Sequence, residues 1–166
     1  MPKGDGWFVL NARDGRWRLW AGLGARLSVE GDSDFPQVGI NLYVLMPGEP
    51  IGMYHWEAGQ EDFLVLSGEA LLIVEGEERP LRQWDFVHCP RLTAHIIVGT
   101  GDGPCAVLAV GAREHGPDEV WGGYPVDPVA QGHGASVDRE TDDADVAYAH
   151  LPAREWSAYR HGWLSG

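Results

Sequence analysis

His55, Glu57 and Glu61 stand in one short stretch of the chain, and His95 follows beyond it. Imidazole nitrogens and carboxylate oxygens are the donors that hold divalent Fe, Mn, Ni or Zn. His55 and Glu57 are two residues apart, so on a strand both side chains point to the same face. Ala58-Gly59 permits a turn, after which Glu61 opens the next strand beside them. Pro90 ends a later strand, and a short turn brings His95 to the start of another. His55 and Glu57 would then project together into the barrel with Glu61 beside them, and a fourth ligand could come from the His95 segment. Two carboxylates would balance the ion's charge, which weakens it as a Lewis acid and favours the harder metals. Open coordination positions would be needed for chemistry. The plainer alternatives are a buried His55 bonded to a backbone carbonyl and a Glu57 that pairs with a histidine without ligating.

These positions require many short strands joined by tight turns. Apolar and β-branched runs at 39–46, 51–57, 62–66, 70–74, 86–89, 95–98 and 106–110 read as strands. Turn chemistry separates them: Pro47-Gly48-Glu49-Pro50, Ser67-Gly68, Glu75 to Arg79, and the Gly- and Pro-rich 99–104. The centre has no room for the helices that a parallel sheet would need between its strands. The expectation is all-β, a sandwich or closed barrel. Ahead of it, 7–10 and 17–20 read as strands or extended arms around an Asp14-Gly15 turn, and 31–36 reads as a loop. Behind it, 114–137 reads as an irregular wrap with apolar anchors at Val120, Trp121, Tyr124, Val126 and Val129. Two short helices are expected to follow. Thr141 would cap the first, through Tyr148. Pro152 would start the second over 153–161, with Trp156, Tyr159 and Trp163 on one face. One domain is expected, with 1–37 as an N-terminal arm, 38–112 as the barrel core and 113–166 as the wrap.

The net charge of −13 over 166 residues comes without any cluster of Lys and Arg. This argues against nucleic acid and against an anionic membrane as partners. Cys89 and Cys105 form no CxxC pair; two reduced, buried thiols are a simpler reading than a disulfide between them. The N-terminus has no apolar signal core and no apolar run is long enough to span a bilayer, so a soluble, cytoplasmic protein is expected. Tyr43, Phe63 and Phe86 are expected in the core. Gln60, Tyr54 and Trp56 should face away from the His55–Glu57 side. His88 reads as a strand residue that could line the pocket, and His115, His133, His150 and His161 as exposed or capping residues. No Gly-x-Ser-x-Gly elbow and no phosphate loop is present.

Over about residues 38–110 the pattern resembles the cupin superfamily. That family's first motif runs Gly, spacer, His-x-His, three or four residues, Glu, six residues, Gly. Here it reads His55-x-Glu57, three residues, Glu61, six residues, Gly68. The second runs Gly-Asp, four residues, Pro, x-Gly-x-x-His, then Asn; here Asp85, Pro90 and His95 match. Glu57 replaces the second histidine, Trp84 and Leu92 replace the glycines, and the final Asn is absent. The resemblance implies a double-stranded β-helix (jelly-roll) barrel and metal ligation by His55, Glu61 and His95. Glu57 joins them because a carboxylate can also ligate.

The resemblance further implies one divalent metal ion (Zn, Fe, Mn or Ni), a small oxygen-containing molecule as substrate or ligand, and a homodimer. The chemistry expected is that of a metal-dependent oxygenase or isomerase. The alternatives are a non-catalytic small-molecule-binding cupin and a structural one.

Overall fold

The computed structural model describes residues 6–30, 35–113, 116 and 119–165. Twelve strands carry it, in chain order β1 (Trp17–Leu19), β2 (Ala25–Ser28), β3 (Val38–Leu45), β4 (Trp56–Glu57), β5 (Glu61–Ser67), β6 (Glu69–Val74), β7 (Glu77–Arg82), β8 (Phe86–Cys89), β9 (His95–Thr100), β10 (Cys105–Ala112), β11 (Gly122–Gly123) and β12 (Glu155–Ser157). They form a seven-stranded antiparallel sheet in the order β12-β1-β2-β3-β10-β5-β8, a three-stranded sheet β7-β6-β9 and a two-stranded pair β11-β4. The chain is all-β, and its antiparallel sheets make a jelly-roll barrel.

Alternation along the strands builds the core. Phe63 and Val65 of β5, Val107 and Ala109 of β10, and Val87 and Cys89 of β8 point inward from the large sheet. They meet Ala70 and Leu72 of β6, Leu81 of β7 and Ile97 of β9 from the small one. On β9 both faces are covered, because Ile96 and Val98 pack on Tyr54, Ala130 and Ala135 outside the small sheet. That double burial explains why 96–98 is a continuous apolar run rather than an alternating one. The outer face of β1–β3 is sealed by Tyr159, Trp163 and Leu164 around Trp17, Leu27 and Val44.

Several expected elements differ. Trp7 and Val9 lie in exposed irregular chain, not in a strand. Over 51–57 only Trp56–Glu57 is regular strand, and after Gly76 a strand resumes at once as β7. Phe86 is exposed, because its neighbours Val87 and Cys89 take the inward positions of β8. The wrap contains α1 (Pro128–Gly132), whose start was written in the sequence as Asp127-Pro128; the Asp127 carboxylate caps it by accepting from the Ala130 N–H. Asp143, not Thr141, caps α2 (Ala144–Ala147). The helix expected over 153–161 is absent. Glu155–Ser157 instead pairs with β1 as β12, giving the open edge of the sheet its hydrogen-bond partners. His115 and residues 31–34 of the expected loop lie outside the described residues. Both cysteines are free and buried; burial pushes the Cys89 thiol up to about 12 and Cys105 to about 11. Among the described residues no helix is long and apolar enough to cross a membrane.

Gly68, which closes the first motif, joins β5 to β6 at φ +77°, and a Cβ there would lie 2.6 Å from the Pro104 carbonyl oxygen. Left-handed backbone and a backbone clash act together at this one position. Gly68→Ala is expected to lower unfolding free energy by about 1–3 kcal/mol. Gly103→Ala, where nothing lies within 4 Å, should leave the urea midpoint nearly unchanged. Equal midpoints for the two variants would contradict this account.

Candidate metal centre

His55 and His95 are brought face to face by an isolated antiparallel bridge. The His55 N–H donates to the His95 carbonyl at 3.2 Å, and the His95 N–H returns to the His55 carbonyl at 2.9 Å. Each ring also donates Nδ1–H to a carbonyl two residues earlier in the chain. His55 reaches Met53 O at 2.7 Å, and His95 reaches Thr93 O at 2.9 Å. That pairing commits Nδ1 of both rings to the backbone and leaves Nε2 as the atom that can ligate. Both Nε2 atoms point at Glu61 Oε2, at 3.5 Å from His55 and 3.3 Å from His95.

The donor atoms of His55, Glu61 and His95 all lie within 4.8 Å of one another. Glu57 lies outside that group, with Oε1 3.7 Å from His55 Nε2. Gly111, opposite Glu61 on β10, leaves space at the carboxylates. A Cβ there would stand 3.7 Å from Glu57 Oε2 and 3.8 Å from Glu61 Cγ.

Burial makes this arrangement expensive for the protein alone. Glu61 Oε2 and His95 Nε2 are buried with no hydrogen-bond partner, and His95 is only 1% exposed. An unsatisfied buried polar atom costs about 1–3 kcal/mol. A divalent ion accepting both lone pairs would satisfy them together, so the residues fit a metal. Burial works against the His55 imidazolium, but Glu57 and Glu61 outweigh it and hold His55 well above its ordinary value. Burial likewise opposes the Glu61 carboxylate, and His55 overcomes it, leaving Glu61 low. His95 is lowered, since burial exceeds the help from Glu61.

Phe63 packs edge-on against the His95 ring at 5.2 Å between centroids. The wrap supplies the other side. Tyr124 lies 5.9 Å from the His55 ring, and the Tyr148 hydroxyl accepts the Met53 N–H at 3.0 Å, steadying the segment that carries His55. Burial first, and Tyr148 next, raises the Tyr124 phenol, which stays protonated. Leu92, at φ +66°, donates its N–H to Glu57 O at 2.8 Å, tying the turn before His95 to the Glu57 segment. Sequence reasoning left Tyr124 as a mere anchor and Tyr148 as a helix residue. No local motif marks either one.

His55, Glu57, Glu61 and Phe63 line a cavity of about 710 Å³, together with Tyr43 and Tyr124. Tyr43 and Phe63, expected simply in the core, therefore also form its wall. Gln60 faces out and bonds Asp62 at 2.8 Å. His88 is absent from this cavity; it is exposed on the outer face of β8, 2.6 Å from Asp62. His133 is half-buried beside Glu78, while His150 and His161 are exposed.

Residues 41–111 match the family model described as the cupin domain. No curated protein matches the chain. Among solved structures, a polyketide cyclase from Streptomyces resistomycificus is 15% identical, with a TM-score of 0.57 over 68% of this chain and 83% of its own. An uncharacterized double-stranded β-helix protein from Klebsiella pneumoniae is 20% identical, with a TM-score of 0.55 over 64% and 90%. A structure described as a sugar phosphate isomerase of a cupin superfamily, from Silicibacter pomeroyi, is 28% identical, with a TM-score of 0.49 over 62% of each chain. The chain spans about three fifths of the first solved structures it matches.

Because metal and proton compete for the same Nε2 atoms, uptake should weaken in acid. The metal-free site keeps His55 protonated above its ordinary value of 6.5, so binding there displaces a proton and tightens as pH rises to the His55 pKa. Below it, the apparent Kd for Co²⁺ or Zn²⁺ should rise about tenfold per pH unit. His95, held low, adds a second proton only in stronger acid. Titrations from pH 8 to 5.5 that give one constant Kd would contradict this.

Proposed function

We propose that this chain, whose residues 41–111 match the cupin domain model, holds one divalent metal ion on His55, Glu61 and His95 and uses it on a small oxygen-containing molecule. The observation that carries the reading is the pair of buried, unpartnered atoms, Glu61 Oε2 and His95 Nε2, aimed at one another beside the His55 imidazole. Nitrogen and carboxylate donors of this kind suit Zn, Fe, Mn or Ni. Bound there, the ion would supply Lewis-acid polarisation of a substrate oxygen.

The chain's own residues do the rest. Met53 and Thr93 hold the imidazoles in the ligating tautomer. Glu57 stands next to His55 as a further carboxylate. In this reading it either completes the donor set or takes a proton from the bound molecule at Oε1. Phe63 keeps the inner side of His95 dry, and Tyr124 closes the His55 side. The cavity has the size of small-molecule sites, which run about 300–1,000 Å³. In this reading 38–112 supplies the donors and 113–166 supplies wall residues, so both act as one functional unit.

Elemental analysis of the purified and metal-titrated protein is expected to give close to one ion per chain. His95→Ala should lose it, and so should Glu61→Gln, which keeps shape and removes only the anionic oxygen. Glu57→Gln should weaken uptake far less than Glu61→Gln. A wild type that takes up no ion, or a folded Glu61→Gln that binds it as tightly as wild type, would sink the reading.

A further inference from the structure

Metal binding needs only the histidine end of the cavity. Another part of its wall carries a charge pattern that the ion does not explain. Arg18 of β1 and Arg26 of β2 are directly opposite each other in the antiparallel register, and Arg26 is opposite Tyr43 of β3. Residues paired in this way present their side chains to the same face, and all three line the cavity. Arg154, just before β12, lines it too. Its guanidinium lies 4.0 Å from the centre of the Trp20 ring, and that of Arg18 lies 4.8 Å from Trp156.

Like charges directly opposite on neighbouring strands are destabilising. Among the described residues, Arg18, Arg26 and Arg154 have no carboxylate oxygen within 4.0 Å, whereas Arg79, Arg91 and Arg113 each have an acidic partner. Arg113 shares the cavity wall but is engaged by both oxygens of the buried Glu30. Of the acids facing the cavity, Glu57 and Glu61 are turned to His55, and Asp145 pairs with none of the three arginines. Burial, then the nearby Arg26 and Arg154, push the Arg18 guanidinium below its ordinary value. All this occurs in a protein of net charge −13, where acidic partners are plentiful. A local rule broken inside a cavity points to a ligand.

We propose that Arg18, Arg26 and Arg154 bind the anionic end, a carboxylate or a phosphate, of the small molecule whose oxygen-bearing end faces His55, Glu61 and His95. Planar guanidinium forks match the paired oxygens of both groups. Stacking on Trp20 and Trp156 holds two of the forks in place before the ligand arrives. Tyr43 stands between the two ends, within electrostatic reach of Arg26 on one side and of Glu61 and His55 on the other. The proposal rests on the reading that this cavity takes a small molecule at a metal ion, and it deepens that reading by naming the ligand's charge.

The test titrates the metal-loaded protein with inorganic phosphate and, separately, with malonate at fixed ionic strength, following heat and melting temperature. At least one anion should bind saturably, roughly tenfold or more weakly in Arg26→Gln and in Arg18→Gln. Arg26→Lys, which keeps the charge and loses the fork, should fall between. The tighter anion identifies the end as phosphate or carboxylate. The same titration on metal-free His95→Ala should still depend on Arg26, which separates the two ideas. If wild type takes up no metal but phosphate binding needs Arg26, the anion site stands and only the metal reading fails. If metal binds, yet both anions bind wild type and Arg26→Gln alike or not at all, the anion site is wrong. Without ligand, Arg26→Gln should melt at or above the wild-type temperature, because it removes a like-charge neighbour. A lower melting temperature with unchanged anion binding would make Arg26 structural and overturn the proposal.

Discussion

Two buried polar atoms that lack a partner until a proton or an ion comes between them set the terms for this molecule. Glu61 Oε2 and His95 Nε2 face one another at 3.3 Å, buried, with neither supplied with a hydrogen-bond partner. A proton between them would satisfy both. However, the burial that lowers His95 makes it a poor place to keep one. His55 takes the proton more readily, because Glu57 adds to Glu61 on its side. Glu61 therefore binds the two imidazoles unequally: one tends to be cationic and the other neutral. Such a set is half-satisfied by protons, and a divalent ion satisfies it better.

Holding that set together requires convergence from segments far apart in the chain. Glu61 is fixed by the ladders of β5 with β10 and β8. His95 is fixed by β9 pairing with β6. His55 belongs to no long strand; its bridge to His95 and the Tyr148 hydrogen bond at Met53 place it. The barrel alone thus positions two of the three donors, and the third depends on help from the C-terminal wrap. Residues 119–165 are therefore more than a cover. They contribute Tyr124 and Tyr148 at the site, Arg154 on the cavity wall and β12 on the sheet edge.

The barrel strands were legible because their signals are local. Short apolar and β-branched runs mark β5, β8 and β10, and Gly or Pro punctuates the turns between them. Strand geometry turns the offset of two between His55 and Glu57 into a shared face, yet Glu57 stands outside the group that His55 forms with Glu61 and His95. What could not be read depends on partners distant in sequence. Trp156, Tyr159 and Trp163 have helical spacing, yet 155–157 forms a strand because β1 offers an unpaired edge. Phe86 looks like core until the inward places on β8 are seen to belong to Val87 and Cys89. Arg18 and Arg26 are eight residues apart and unremarkable in the sequence; only the β1–β2 register sets them side by side.

The departures from the second motif also acquire a physical sense. Trp84 and Leu92 stand where the family pattern has glycine, and the backbone keeps the left-handed turn at both, at φ +75° and +66°. Each such residue costs about 1–3 kcal/mol, so the turn must be held by something else. At Trp84 the N–H donates to Val65 O, Asp85 returns through its carbonyl to Val65 N–H, and the Asp85 side chain accepts from Arg82 N–H. At Leu92 the N–H donates to Glu57 O. In both turns the backbone is tied to a neighbouring segment of the barrel, and the second tie runs between the two stretches that carry the candidate ligands. The turn before His95 is thus imposed by tertiary hydrogen bonds rather than by a permissive residue. The geometry of the donor set outlasts the loss of the glycines that the motif uses to make it.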